Sequence, residues 1–180
     1  DSLKVNTTGT SNTAVGTNSL KANTTANNNT ACGKDALASN TTGAENVAIG
    51  TFAMDANTTG DSNTALGVNA LGSNTTASNN TALGRNAMVN NTEGFQNVAV
   101  GAYCLDANTT GDFNVAVGLN TLGGNTTANA NTAVGNQAML ANTTGAFNAA
   151  FGAYAIDANT TADNNKAVGS EAMIATTTGA

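Results

Sequence analysis

The chain has 180 residues, a net charge of −6 from 5 Lys/Arg against 11 Asp/Glu, and no Pro, Trp or His. Five scattered cations leave no electrostatic footprint for nucleic acid and no basic face for an anionic membrane. With 40% apolar and only 9% charged residues it is not a disordered polar tract, yet much of the apolar share is Ala, so a thick globular core is not expected.

Residues 1–5 come first. Asp1 opens the chain without an initiator Met or a signal peptide, so the true N-terminus is expected to have been removed. Ser2-Leu3-Lys4 matches Ser19-Leu20-Lys21, which places the start inside a repeat. From Asn6 a 17-residue pattern, N-T-T-[GA]-x-x-N-x-A-Φ-G-x-x-x-Φ-x-x with Φ apolar, runs ten times through 6–175, with Glu93 in place of the second Thr in the sixth repeat. A partial repeat closes the chain, with Thr176 in place of Asn, and 1–180 reads as a single array. Besides the opening Asn and the Thr after it, three positions never vary: the second Asn (Asn12, Asn29, Asn46 onward), the Ala after it (Ala14 onward) and the Gly after that (Gly16, Gly33, Gly50 onward). They are the expected structural ladder.

Within each repeat a segment such as Asn12-Thr13-Ala14-Val15-Gly16 alternates with period 2, the mark of a short half-buried strand. Val15, Cys32, Ile49, Leu66, Leu83, Val100, Val117, Val134, Phe151 and Val168 are expected to form one inward column. A second inward column begins Leu20, Leu37, Met54 and Leu71. The N-T-T-G segment is turn chemistry, since Asn and Gly tolerate positive φ and Thr hydroxyls bond local backbone. Two short strands and a turn per 17 residues predict an all-β fold, a parallel β-solenoid of about ten coils. Gly and β-branched residues in every repeat exclude helix.

Coils stacked at the ~4.8 Å strand spacing give a rod roughly 50 Å long. Two large aliphatics per coil contribute about 1.5–3 kcal/mol each, against an ordering cost of order 1–2 kcal/mol per residue. One coil therefore cannot stand alone, and stability is expected from ladder bonds and neighbouring coils. Neither end of the array shows a cap, so open strand edges are expected to pair within a longer array or between subunits stacked end to end. A second period of 51 residues returns Phe52, Tyr103 and Tyr154, together with Asp55, Asp106 and Asp157. Duplication by three repeats accounts for it. The sharper expectation is that every third coil meets a partner at those aromatics or bends the rod.

Asn46-Val47-Ala48-Ile49-Gly50, Asn97-Val98-Ala99-Val100-Gly101 and Asn114-Val115-Ala116-Val117-Gly118 resemble the head-repeat core of trimeric autotransporter adhesins. The N-T-T-G-x-x-N-T-A-x-G-x-x-A-L form is also similar to arrays in bacteriophage tail fibres. The adhesin resemblance implies a left-handed parallel β-roll, three chains side by side and extracellular display. A 17-residue repeat is longer than the usual adhesin head repeat, and the stalk and anchor of that family and the fibre chaperone are not in this sequence.

No catalytic constellation emerges, and no enzyme activity or cofactor is expected: His is missing, and the hydroxyls sit in ten similar environments. Cys32 and Cys104, four coils apart, are too distant for a disulfide and are read as buried free thiols. Asp55, Asn57 and Asp61, repeated as Asp106, Asn108 and Asp112, form a weak Ca²⁺ candidate without the usual closing Glu. The N-T-T sequons at Asn6, Asn23, Asn40 and Asn57 are potential glycan acceptors. The function expected is that of an extracellular or virion-borne structural rod, part or all of an adhesin-like fibre or filament at a cell surface. Its expected partner is itself, as trimer or filament, with host surfaces or glycans as further partners and no nucleic acid or membrane insertion. Ice binding through the Thr file at Thr7, Thr24, Thr41 and Thr58, with Asn beside it, and a glycan-binding tail-fibre shaft are the alternatives.

Overall fold

The structure is a computed structural model that describes residues 1–175; the partial repeat at 176–180 lies outside the described residues. Each repeat forms one three-residue strand. These are β1 (Thr13–Val15), β2 (Thr30–Cys32), β3 (Val47–Ile49), β4 (Thr64–Leu66), β5 (Thr81–Leu83), β6 (Val98–Val100), β7 (Val115–Val117), β8 (Thr132–Val134), β9 (Ala149–Phe151) and β10 (Lys166–Val168). All ten lie in one parallel sheet in chain order. The 17-residue period fixes the register: Ala14 faces Ala31, Ala48 faces Ala65 and so on up the stack. The fold is the expected β-solenoid.

Two features of the coil differ from expectation. The second strand does not form. Leu20, Leu37 and Met54 are fully buried, as expected, but they sit in a turn with φ of 48°, 50° and 51°. A left-handed residue costs roughly 1–2 kcal/mol, and burying a Leu or Met contributes about 1.5–3 kcal/mol, so the buried side chain holds the unusual backbone in place. The positive φ angles also avoid the N-T-T-G segment. They fall instead after it, at Ser11, Asn18 and Leu20 in the first repeat, and at Gly16 with φ 124°. Gly16 is invariant for a second reason: a Cβ there would stand 2.6 Å from the carbonyl oxygen of Gly33 in the next coil.

The larger correction concerns the core. The column from Val15 to Val168 does not point inward. Val15 is 58% exposed, Ile49 38% and Leu66 45%. The strand is three residues long, so period 2 turns its central residue one way and both flanks the other. The central residue is the invariant Ala, and Ala31, Ala48 and Ala65 are completely buried. The coil is too thin for anything bulkier there. Its interior holds the strand Ala, a second small residue (Ser19, Ala36, Ala53), the Leu/Met column and two rows of Asn.

Candidate binding surfaces

The two Asn rows account for the polar half of the interior. In the first row each side-chain amide donates to the Asn one coil earlier and to a carbonyl of its own coil: Asn57 Nδ2 reaches Asn40 Oδ1 at 2.8 Å and Gly60 O at 3.1 Å. In the second row the backbone N–H of Asn46 donates to Asn29 Oδ1 at 2.9 Å, while Asn46 Nδ2 donates to Gly60 O at 2.8 Å. The Gly60 carbonyl thus accepts from both rows, and the same convergence recurs at Gly43. Among the described residues no buried side-chain N or O lacks a partner. The expected ladder of Asn12, Asn29, Asn46, Ala14, Gly16, Gly33 and Gly50 is in place, with Asn12 only half-buried in the first coil.

This network closes several expected sites. Asn23, Asn40 and Asn57 are wholly buried, so these N-T-T sequons present no accessible amide; Asn6 in the first coil is half-buried. Asn57 and Asn108 are likewise unavailable to a cation, because their Oδ1 atoms accept from Asn74 and Asn125. Asp61 and Asp112 accept from the backbone N–H of Ala44 and Phe95 at 2.7 and 2.9 Å, binding turn to turn across coils. The proposed Ca²⁺ set therefore does not converge, and among the described residues no group of three or more His, Cys, Asp or Glu is placed to hold a metal. The Thr file is also engaged: Thr24, Thr41 and Thr58 are half-buried, and their hydroxyls donate to the Thr carbonyl of the next coil. Of the thiols, Cys104 is buried, its pKa pushed up to about 12 by desolvation, but Cys32 is exposed. Cys32 belongs to the column that turned outward.

Two surfaces remain. The first is the outer face of the sheet, with the Val15-to-Val168 column flanked by Thr and Val from the first strand position. At three residues per strand and ten strands it spans about 10 by 48 Å. Near its far half stand further exposed rings, Phe113, Phe147 and Phe95, with Phe95 and Phe113 in edge-to-face contact at 5.1 Å.

The second surface follows the 51-residue period. Phe52, Tyr103 and Tyr154 share one left-handed turn position, with φ of 58°, 54° and 58°. The ammonium of Lys34 lies 5.2 Å from the Phe52 ring centroid, and the guanidinium of Arg85 lies 5.7 Å from that of Tyr103. Three residues on from each ring stands Asp55, Asp106 or Asp157. Desolvation raises the pKa of Asp55 and Asp106 above the ordinary carboxylate value. A cleft of about 450 Å³ opens between Tyr154, Asp157, Ala158, Glu171 and Ile174.

No family model, no curated protein and no solved structure matches this chain. What the surfaces do is argued from their own chemistry. Among the described residues, no helix is long and apolar enough to cross a membrane.

Proposed function

We propose that the chain is a structural rod of an extracellular fibre, non-catalytic, whose copies associate side by side through the outer face of the sheet. The observation that carries the reading is the outward apolar column. A sheet about 10 by 48 Å offers roughly 500 Å² per copy, hence ~1,000 Å² in a pair, the threshold for a specific interface. The apolar part of that face, the column together with Val47, Val98 and Val115, falls within the size of patch that monomers expose at functional sites. The resemblance to adhesin and tail-fibre repeats supports the extracellular placement.

Sedimentation and electron microscopy of the purified chain test this. Side-by-side assemblies are expected, and Leu83→Lys with Val117→Lys should yield soluble, folded monomers because both side chains already face water. A parent chain that stays monomeric at its highest soluble concentration refutes the lateral reading. Mild oxidation adds the orientation: parallel, in-register copies bring Cys32 against its counterpart and form a disulfide, whereas antiparallel copies do not. The engaged Thr hydroxyls, and the uneven heights of Val, Leu, Ile and Phe on the sheet face, argue against ice binding. Measurable thermal hysteresis would restore it.

A further inference from the structure

We propose that the aromatic and Asp files bind an uncharged polysaccharide lying along the rod, through three related subsites built on Phe52/Asp55, Tyr103/Asp106 and Tyr154/Asp157. The proposal uses the solenoid only as a scaffold and stands apart from lateral association.

Each subsite pairs an aromatic ring with a carboxylate three residues on. An aromatic ring is offered to solvent, with Phe52 and Tyr154 more than a third exposed. In the first two subsites a cation from the preceding coil braces the ring. A half-buried carboxylate follows three residues later; among the described residues only Asp1 and Asp35 have an ion-pair partner. The following coil repeats as well in the first two subsites, whereas Glu171 and Ile174 follow the third. Asn69 and Gly72 succeed the first pair, and Asn120 and Gly123 the second. A Cβ on Gly123 would stand 3.3 Å from Asp106 Oδ1, so this glycine keeps the space beside the carboxylate free. At the third subsite Tyr154 and Asp157 line the cleft itself.

The chemistry of the parts selects the ligand. A ring face takes the C–H face of a sugar, and a carboxylate without a cation accepts from hydroxyls. A net charge of −6 disfavours acidic glycans. The backbone supplies an independent sign. At this left-handed position Asn18, Asn69, Asn86 and Asn120 occupy four other coils and Asp35, Gln137 and Glu171 the remaining three, all polar, and Asn is the side chain that tolerates it best. The three aromatics accept backbone strain without gaining burial, as functional residues do. Successive rings lie ~14 Å apart along the axis by the strand spacing, which favours a chain that engages all three over a single sugar.

The test is affinity electrophoresis of the full chain in native gels containing hydroxyethylcellulose, galactomannan, glucomannan or dextran, with alginate and poly-lysine as charged comparators. At least one neutral polymer should retard the protein. Phe52→Asn, Tyr103→Asn and Tyr154→Asn should each weaken retardation roughly 3- to 10-fold, and the triple variant should migrate as in an empty gel. Asn is native to this position, so the variants should keep the parent's circular dichroism. Asp55→Ala with Asp106→Ala, using the residue Ala38 places at the same site, gives a second set. Running the Lys-substituted sheet-face variant separates this proposal from lateral association. The proposal is overturned if no neutral polymer retards the chain, or if the triple variant is retarded like the parent. Retardation by poly-lysine alone also overturns it, in favour of a cationic partner.

Discussion

Replacing Asn57 by Ala in the middle of the first Asn row separates a ladder from a series of local turn bonds. The parent side chain is wholly buried and makes three side-chain hydrogen bonds: Nδ2 to Asn40 Oδ1 and Gly60 O, and Oδ1 from Asn74 Nδ2. In the variant Gly60 O keeps the amide of Asn46, and Asn74 keeps its bond to Ala77 O. Asn40 Oδ1 and one N–H of Asn74 are stranded in a dry interior. Each unpaired buried group costs about 1–3 kcal/mol, so the change should cost about 2–6 kcal/mol, a large part of the stability of a typical domain. The same substitution at Asn6, half-buried with a ladder neighbour on one side only, should cost less than about 1 kcal/mol because water replaces the lost partner. Urea unfolding followed by circular dichroism gives the two values, and native-state hydrogen exchange shows whether protection is lost first in the coils flanking residue 57. Equal costs at Asn6 and Asn57 would refute cross-coil coupling. Asn57→Asp should be worse than Ala at neutral pH, since it sets a buried carboxylate against two acceptors.

Other outcomes follow from the same geometry. Leu71→Ala should lose about 2–5 kcal/mol in the same unfolding assay, whereas Leu66→Ala, on the outer face, should change monomer stability by no more than about 0.5 kcal/mol. Gly67→Ala, at φ 141° and with its new Cβ 2.5 Å from Gly84 O, should destabilise more than either; a soluble variant with unchanged midpoint contradicts the close packing. A thiol reagent should titrate one cysteine natively and two in denaturant, because Cys104 is buried with a pKa of about 12; two fast thiols in the native protein contradict its burial. Asp55 and Asp106 have folded pKa values raised by burial, so the fold favours their protonated forms. Their stabilising contribution is present below the unfolded value near ~4 and is lost as pH rises through the raised one. Asp55→Asn with Asp106→Asn should therefore melt higher than the parent at pH 7, and the difference should vanish below about pH 4 in scanning calorimetry. A difference independent of pH would rule out desolvation as its cause.

The period, the parallel register and the Asn rows were all legible in the sequence, because an invariant residue in ten coils reports one repeated environment. The direction of the strand is the reverse of what its apolar residues suggest, although the sequence carries the signal. Val15 and its equivalents vary among Val, Cys, Ile, Leu and Phe, a spread of volumes that no close-packed interior would accept. Ala14 and its equivalents never vary. Hydrophobicity alone favoured Val for the inside; constancy of size favoured Ala, and constancy was the better guide in so thin a coil. The second column lies inside, as its apolar residues suggest, but in a left-handed turn that nothing about Leu20 by itself announces. The aromatic and Asp period is visible in the sequence, while Gly123 beside Asp106 gains meaning only once the coils are stacked.

The doubly accepting carbonyl has a consequence for how such a molecule changes length. Gly43 and Gly60 each take one amide from their own coil and one from the coil before, and each coil hands on the same set of donors and acceptors. A block of three coils can therefore be removed or inserted with every interior bond re-formed at the new junction. Growth by 51 residues lengthens the rod by a fixed increment and returns each ring and carboxylate to the same bearing. The chain is a ruler whose graduations are carried on its outside.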